Sequence, residues 1–140
     1  MPVRDDVIAE ARRWIGTPFR WQQAAKGKGC DCKGLISGVA LALGRPEARS
    51  VYALMSAEYR RRVDPALLRR GLSELFDEVA EMEPGDVLLM RVADKPQHLG
   101  LYAGQGRMIH TYAKGPRRVI EVPLDPAWPV VGIFRWRDIA

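Results

Sequence analysis

Cys32, His98 and His110 are the residues of this chain whose types and spacing point to chemistry. A thiol attacks as thiolate, and its ordinary pKa of about 8.5 leaves little thiolate at neutral pH. A helix N-terminus lowers that value, because its unpaired N–H groups and dipole favour an anion. Cys32 stands where a helix should begin, and Gly34 just behind it lets other backbone come close. The same N–H groups suit an oxyanion formed during acyl transfer. The two histidines flank the tight loop Ala103-Gly104-Gln105-Gly106, on consecutive apolar segments. Residues equidistant from a hairpin turn pair across it. His98 and His110 are centred on Gly104, so one sheet face should carry them opposite each other, within hydrogen-bond reach. One imidazole then fixes the tautomer of the other. Nucleophile, base and orienting group form the set that covalent hydrolysis needs.

Each of these residues also has a plainer reading. A free cysteine is most often a small buried hydrophobe, and a single histidine a satisfied, partly buried one. Cys30 keeps that reading, because no helix end is expected at its position. A Cys30–Cys32 disulfide would be strained and would close almost no loop. A metal site would need both histidines, whose spacing on the sheet half is unlike that of zinc fingers. No metal and no organic cofactor are therefore expected. Asp31 either caps the helix or meets a substrate ammonium. Asp86, after Pro84-Gly85, reads as a turn residue. Trp14, Trp21, Trp128 and Trp136 read as core before ligand platform.

The elements that must position these groups fall into two halves. Residues 5–15 predict an amphipathic helix burying Val7, Ile8, Ala11, Trp14 and Ile15, with Gly16 as its stop. Residues 22–29 read as a loop. A second helix runs from about Cys32 to Leu43 on the stripe Leu35, Ile36, Val39, Ala40 and Leu43, ended by Gly44. Residues 52–76 are helical and arginine-rich, with Pro65 opening a helix. Then the period changes. Val87–Val92, Leu99–Tyr102, Arg107–Tyr112, Val119–Val122 and Val131–Trp136 are short apolar segments separated by Gly- and Pro-containing turns. Helices first and strands second predict a single α+β domain over residues 1–140, its helices packed on an antiparallel meander of about five strands.

Composition narrows the function classes. The chain has 140 residues, 47% of them hydrophobic and 28% charged, which suits one domain with its own core. The net charge of +5 tolerates anionic partners. The arginine runs at 60–62 and 69–70 are interleaved with apolar positions, as on solvated helix faces, so no nucleic acid is expected. The start MPVRDD has no apolar signal core, and no run is long enough to span a membrane. The expectation is synthesis in the cytoplasm without a signal peptide, with any action outside the cell relying on another carrier.

With these residues in place, the sequence resembles the NlpC family of papain-like cell-wall peptidases. The matching pieces are Gly16-Thr17-Pro18-Phe19-Arg20-Trp21, Asp31-Cys32-Lys33-Gly34-Leu35-Ile36, Pro84-Gly85-Asp86-Val87, His98 to Gly104, and Met108-Ile109-His110. Their order and spacing agree across nearly the whole chain. The Asp-Cys-x-Gly-Leu form is similar to a subgroup found in phage tails and gene-transfer particles. The resemblance implies a papain-like fold and hydrolysis of an amide in the peptidoglycan stem peptide, between D-glutamate and a diamino acid. It implies particle proteins as partners and delivery to the periplasm or wall. It makes Cys32, His98 and His110 catalytic and sets Asp31 at the substrate's free amine; Lys33 and Trp21 are further candidate substrate contacts. The alternatives are an acyltransferase or amidase on the same fold, and a non-catalytic component of a tail or particle. Two departures stand out. Phe19 replaces a tyrosine whose hydroxyl reaches the active site. Lys33 replaces a serine, and either lowers the thiol pKa, attracts a substrate carboxylate or faces water.

Overall fold

The computed structural model describes residues 3–59, 65–93 and 95–139. Helix α1 (Arg4–Arg13) has Asp5 and Asp6 in its first turn and Arg12 and Arg13 in its last, the charge order that complements a helix dipole. It buries Val7, Ile8 and Ala11, with Trp14 at its C-cap, and Gly16 leaves it at φ +92°. Ile15, expected on the apolar stripe, is 47% exposed. Glu10 is buried instead of solvated: its carboxylate accepts Trp14 Nε1–H at 2.9 Å and pairs with Arg13 and Lys26.

The expected loop at 22–29 contains a small hairpin of β1 (Ala24–Ala25) and β2 (Gly29–Cys30). Strands of two residues carry too little periodicity to be read. Helix α2 (Cys32–Ala42) buries Leu35, Ile36, Val39 and Ala40 as the pattern predicts, and Gly44 follows at φ +67°. Helix α3 (Glu47–Tyr59) begins ahead of the expected boundary, and α4 (Pro65–Leu75) opens on its proline.

Among the described residues the main sheet has six antiparallel strands, where about five were expected. They are β3 (Asp77–Glu78), β4 (Val87–Val92), β5 (Lys95–Gly104), β6 (Arg107–His110), β7 (Ile120–Pro123) and β8 (Val130–Arg135), in the order β3-β8-β4-β5-β6-β7. Strands β4 to β7 form the expected meander. Strand β8 does not continue it: it returns to the other side of β4, setting Phe134 beside Val87. Its neighbour β3 is short, exposed and charged, which is why no apolar run announces it. Side chains hold the return in place. Arg135 forks onto Asp86 at 3.0 and 2.8 Å, and Trp136 Nε1–H donates to the Gly85 carbonyl at 2.9 Å. Asp86 is thus a buried ion-pair partner as well as a turn residue.

Alternation along the strands divides the sheet. Val87, Leu89, Leu99, Leu101, Ile109 and Phe134 face the helices and pack with Leu35, Ile36 and Val39. Leu88, Met90 and Met108 turn to the other face, covered by Tyr102, Val122, Trp128 and Val130. Among the described residues, no helix is long and apolar enough to cross a membrane.

Candidate active site

Cys32 is the first residue of α2, and the chain before it is built to hold that position. Asp31 at the N-cap accepts Gly34 N–H through Oδ1 at 2.8 Å and Gln22 N–H through Oδ2 at 2.9 Å. This buried carboxylate therefore ties the preceding loop to the helix start, a bond of the kind worth about 1 kcal/mol. Gly34 is required by the same approach. A Cβ there would lie 1.9 Å from the Gln23 carbonyl oxygen, and that oxygen accepts Asp31 N–H. The Cys32 sulfur accepts the backbone N–H groups of Lys33 and Leu99. Leu99 follows His98 on β5, so the sulfur lies between the helix start and the histidine strand. Cys30, two residues earlier, is fully buried, and burial pushes its thiol up to about 12.

The histidines share a face, but not as a directly opposed pair. Strands β5 and β6 pair Leu101 with Ile109 and Tyr102 with Met108, with a bulge before Gly104 and Arg107. Extending that register sets His110 beside Gly100, diagonal to His98. The turn explains the correction. Its two central residues, Gln105 and Gly106, both have positive φ, +54° and +71°, so the hairpin closes on two residues rather than around Gly104. A slip of two positions keeps the face, so the partnership survives it. Gly100 leaves the diagonal open: a Cβ there would meet Met90 Cε at 3.0 Å and His110 Cβ at 3.5 Å. Across it, His98 Nε2 lies 2.9 Å from His110 Nδ1.

Two aromatic residues that the sequence did not single out for the site close over this pair. The Trp128 ring centroid lies 5.0 Å from that of His98 and 5.5 Å from that of His110. Tyr112 lies 5.4 Å from His98 and 5.0 Å from Trp128. Trp128 is held by a turn at Asp125, which accepts Ala127 N–H on its carboxylate and Trp128 N–H on its carbonyl. No spacing rule relates Trp128 to His98; only the topology does. Trp14 and Trp136 are core, as read from the sequence. Trp21 is not: it is 59% exposed and meets buried Phe19 edge-on, with centroids 4.8 Å apart.

Burial sets the charges. It pushes His98 down to about 3, helped by His110 and by the Lys33 ammonium, and pushes His110 down to about 4. Burial raises the Cys32 thiol, with Asp31 adding to the rise and Lys33 opposing it. At neutral pH the thiol and both imidazoles are therefore neutral. Of the three readings of Lys33, the water-facing one fails, because the side chain is only 5% exposed. Asp31 has the capping role. Among the described residues, no group of three or more His, Cys, Asp and Glu is placed to hold a metal ion.

The sequence profile of the NlpC/P60 family matches residues 16–129. This chain belongs to the NlpC/P60 family. The gamma-DL-glutamyl hydrolase of Bacillus subtilis is 30% identical over 137 residues, covering 95% of this chain. The chain spans only 29% of that relative's length. The NlpC/p60 domain of the peptidoglycan hydrolase SagA superposes with a TM-score of 0.63 at 21% identity, over 94% of this chain and 97% of that one. RipD of Mycobacterium tuberculosis, described as a non-catalytic NlpC/p60 domain protein adapted to peptidoglycan binding, gives 0.62 at 18%, over 96% and 98%. At these identities the structural matches establish the fold: the α+β, papain-like NlpC/P60 arrangement of helices followed by an antiparallel sheet.

Proposed function

We propose that this NlpC/P60 domain is a cysteine peptidase that hydrolyses a D-glutamyl–diamino acid amide of peptidoglycan stem peptides through a thioester. One observation carries the reading. The Cys32 sulfur rests on the N–H of Leu99, one residue from His98, and His98 Nε2 is engaged by His110 Nδ1 at 2.9 Å. For His98 to act as base, its Nε2–H donates to His110 Nδ1, which leaves His98 Nδ1 bare. That nitrogen takes the thiol proton as sulfur attacks the amide carbonyl carbon. The resulting oxyanion is held by N–H groups at the helix start, that of Cys32 included. Collapse breaks the C–N bond, and His98 returns the proton to the leaving amine. Water then cleaves the thioester, again through His98. Lys33 lowers the cost of forming the thiolate.

The Asp-Cys-x-Gly-Leu form of residues 31–35 supports a place in a phage tail or phage-like particle, with synthesis in the cytoplasm and delivery to the wall by that particle. Mass spectrometry of purified wall, digested with the parent protein and with Cys32→Ala, tests the activity. The expected result is new D-glutamyl carboxyl and diamino acid amine ends with the parent only. Turnover of a model ester without new amine ends would point to an acyltransferase.

A second reading, a wall-binding or structural domain without catalysis, draws on two observations. Burial keeps thiol and imidazole neutral, and Phe19 brings no hydroxyl to the matched tyrosine position. Alkylation of Cys32 against pH separates the two readings. Catalysis requires a thiol pKa that moves when His98 is replaced; an unmoved value at or above that of free cysteine supports the structural role.

A further inference from the structure

Beyond the histidine pair, the outer face of the sheet opens into a cavity of about 570 Å³. Its inner wall is His110, Tyr112 and Trp128, the groups that surround His98, and its outer wall carries Lys114, Arg117 and Arg118. All three cations are exposed, and none is in an ion pair among the described residues. One acid lines the cavity, Asp125, and its carboxylate is engaged with Ala127 N–H. The basic wall is fixed rather than loose. The Arg117 carbonyl accepts Phe19 N–H at 2.8 Å, and Val119 N–H donates to the Thr17 carbonyl at 2.9 Å, so the loop is stitched to residues 16–19. Arg117 itself stands at φ +56°, a left-handed conformation that residues with a β-carbon seldom adopt.

An aromatic inner wall and a cationic outer wall select a ligand with an apolar or flat portion and a negative charge. A γ-linked glutamyl residue has that chemistry. Its amide uses the side-chain carboxyl, which leaves the α-carboxylate free and charged. We propose that this cavity is a second binding site, separate from the thiol, for the free α-carboxylates of γ-glutamyl peptides. The proposal rests on the wall-peptide reading above and deepens it. An occupant touching His110 would also bear on the base: a carboxylate there offsets the burial that keeps the imidazoles neutral.

The test uses Cys32→Ala protein, so that binding is read without turnover. The probes are a γ-D-glutamyl dipeptide and its α-amide, titrated by calorimetry and by Trp fluorescence. The expected result is that the carboxylate peptide binds at least tenfold more tightly than the amide. Lys114→Gln/Arg117→Gln/Arg118→Gln should remove that preference with the melting temperature unchanged. Equal binding of the two peptides, or binding unaffected by the triple substitution, overturns the site. So does an equal response to acetate at matched concentration, which marks general anion screening. The outcomes separate the two proposals. Carboxylate-selective binding without wall hydrolysis by the parent leaves the site standing and removes the peptidase. Hydrolysis with unselective binding does the reverse.

Discussion

The thiol and the histidines reach the same place by different means. At the helix start, residues 22–34 hold Cys32 through contacts that are short in sequence: Asp31 onto Gly34 and Gln22, and the Gln23 carbonyl against Gly34. At the hairpin, His98 and His110 meet by strand register, across a glycine, under a tryptophan that arrives from the β7–β8 connection. The first region is rigid backbone against backbone. The second is side chain against side chain, with Met90 and Trp128 able to give. Local chemistry places the thiol, while strand register and distant topology place the imidazoles and their cover.

That contrast can be tested by substitution, and the largest effects come from the reacting groups. Cys32→Ala and His98→Ala should each lower wall hydrolysis by about 10⁴-fold or more while near-native melting curves persist. Cys30→Ala should leave the rate unchanged, because its thiol is held inert by burial. Substantial release of wall peptides by Cys32→Ala would break the comparison at its root.

The two glycines sharpen it. Gly34→Ala drives a methyl into backbone, so denaturant titration should show a loss of about 3 kcal/mol. Gly100→Ala presses mainly on the flexible end of Met90, and about 1 kcal/mol is expected. Equal losses would mean that the hairpin is as unyielding as the helix start.

His110 should matter less than His98. His110→Ala is expected to reduce hydrolysis about 10- to 100-fold, and His110→Asn, which can still orient an imidazole, should restore part of the rate. A His110→Ala rate equal to that of the parent would remove its orienting role.

Acid should act on the hairpin and not on the helix start. Both histidines have folded-state pKa values below the ordinary 6.5, at about 3 and about 4. The unfolded chain therefore binds more protons between those values and 6.5, and stability falls as the pH drops through that window. A melting series from pH 7 to pH 4 should show a decline that is shallower in His110→Gln. A parallel decline in both proteins would place the acid sensitivity elsewhere.

Much of the site was legible because its signals are local. Asp31 before Cys32, Gly34 behind it and Gly44 past the helix report a helix start and stop within a dozen residues. The histidine partnership was legible for a weaker reason: a strand alternates with period two, so an error of two in register kept the right face. What stayed hidden has no sequence period. Trp128 lies over the histidines only because β8 turns back to β4, and β3 is too short and too polar to announce that turn. Trp21 looked like core from its type, yet stands exposed at the edge of Phe19. The charge of Lys33 left three readings open, and only its burial beside the thiol removes the water-facing one.

The return of β8 also sets an order of events on the ribosome. A nascent chain that has reached residue 112 already contains the thiol and both imidazoles. At that length β4 still lacks one neighbour, Asp86 has no Arg135, and the indole that covers the histidines has not been made. Pairing β4 with β8 closes a loop of some forty residues, a slow, non-local step. The thiol and the imidazoles are therefore made before the residues that complete their surroundings. The covering indole and the Asp86–Arg135 pair join them only once the chain has been extended past residue 135.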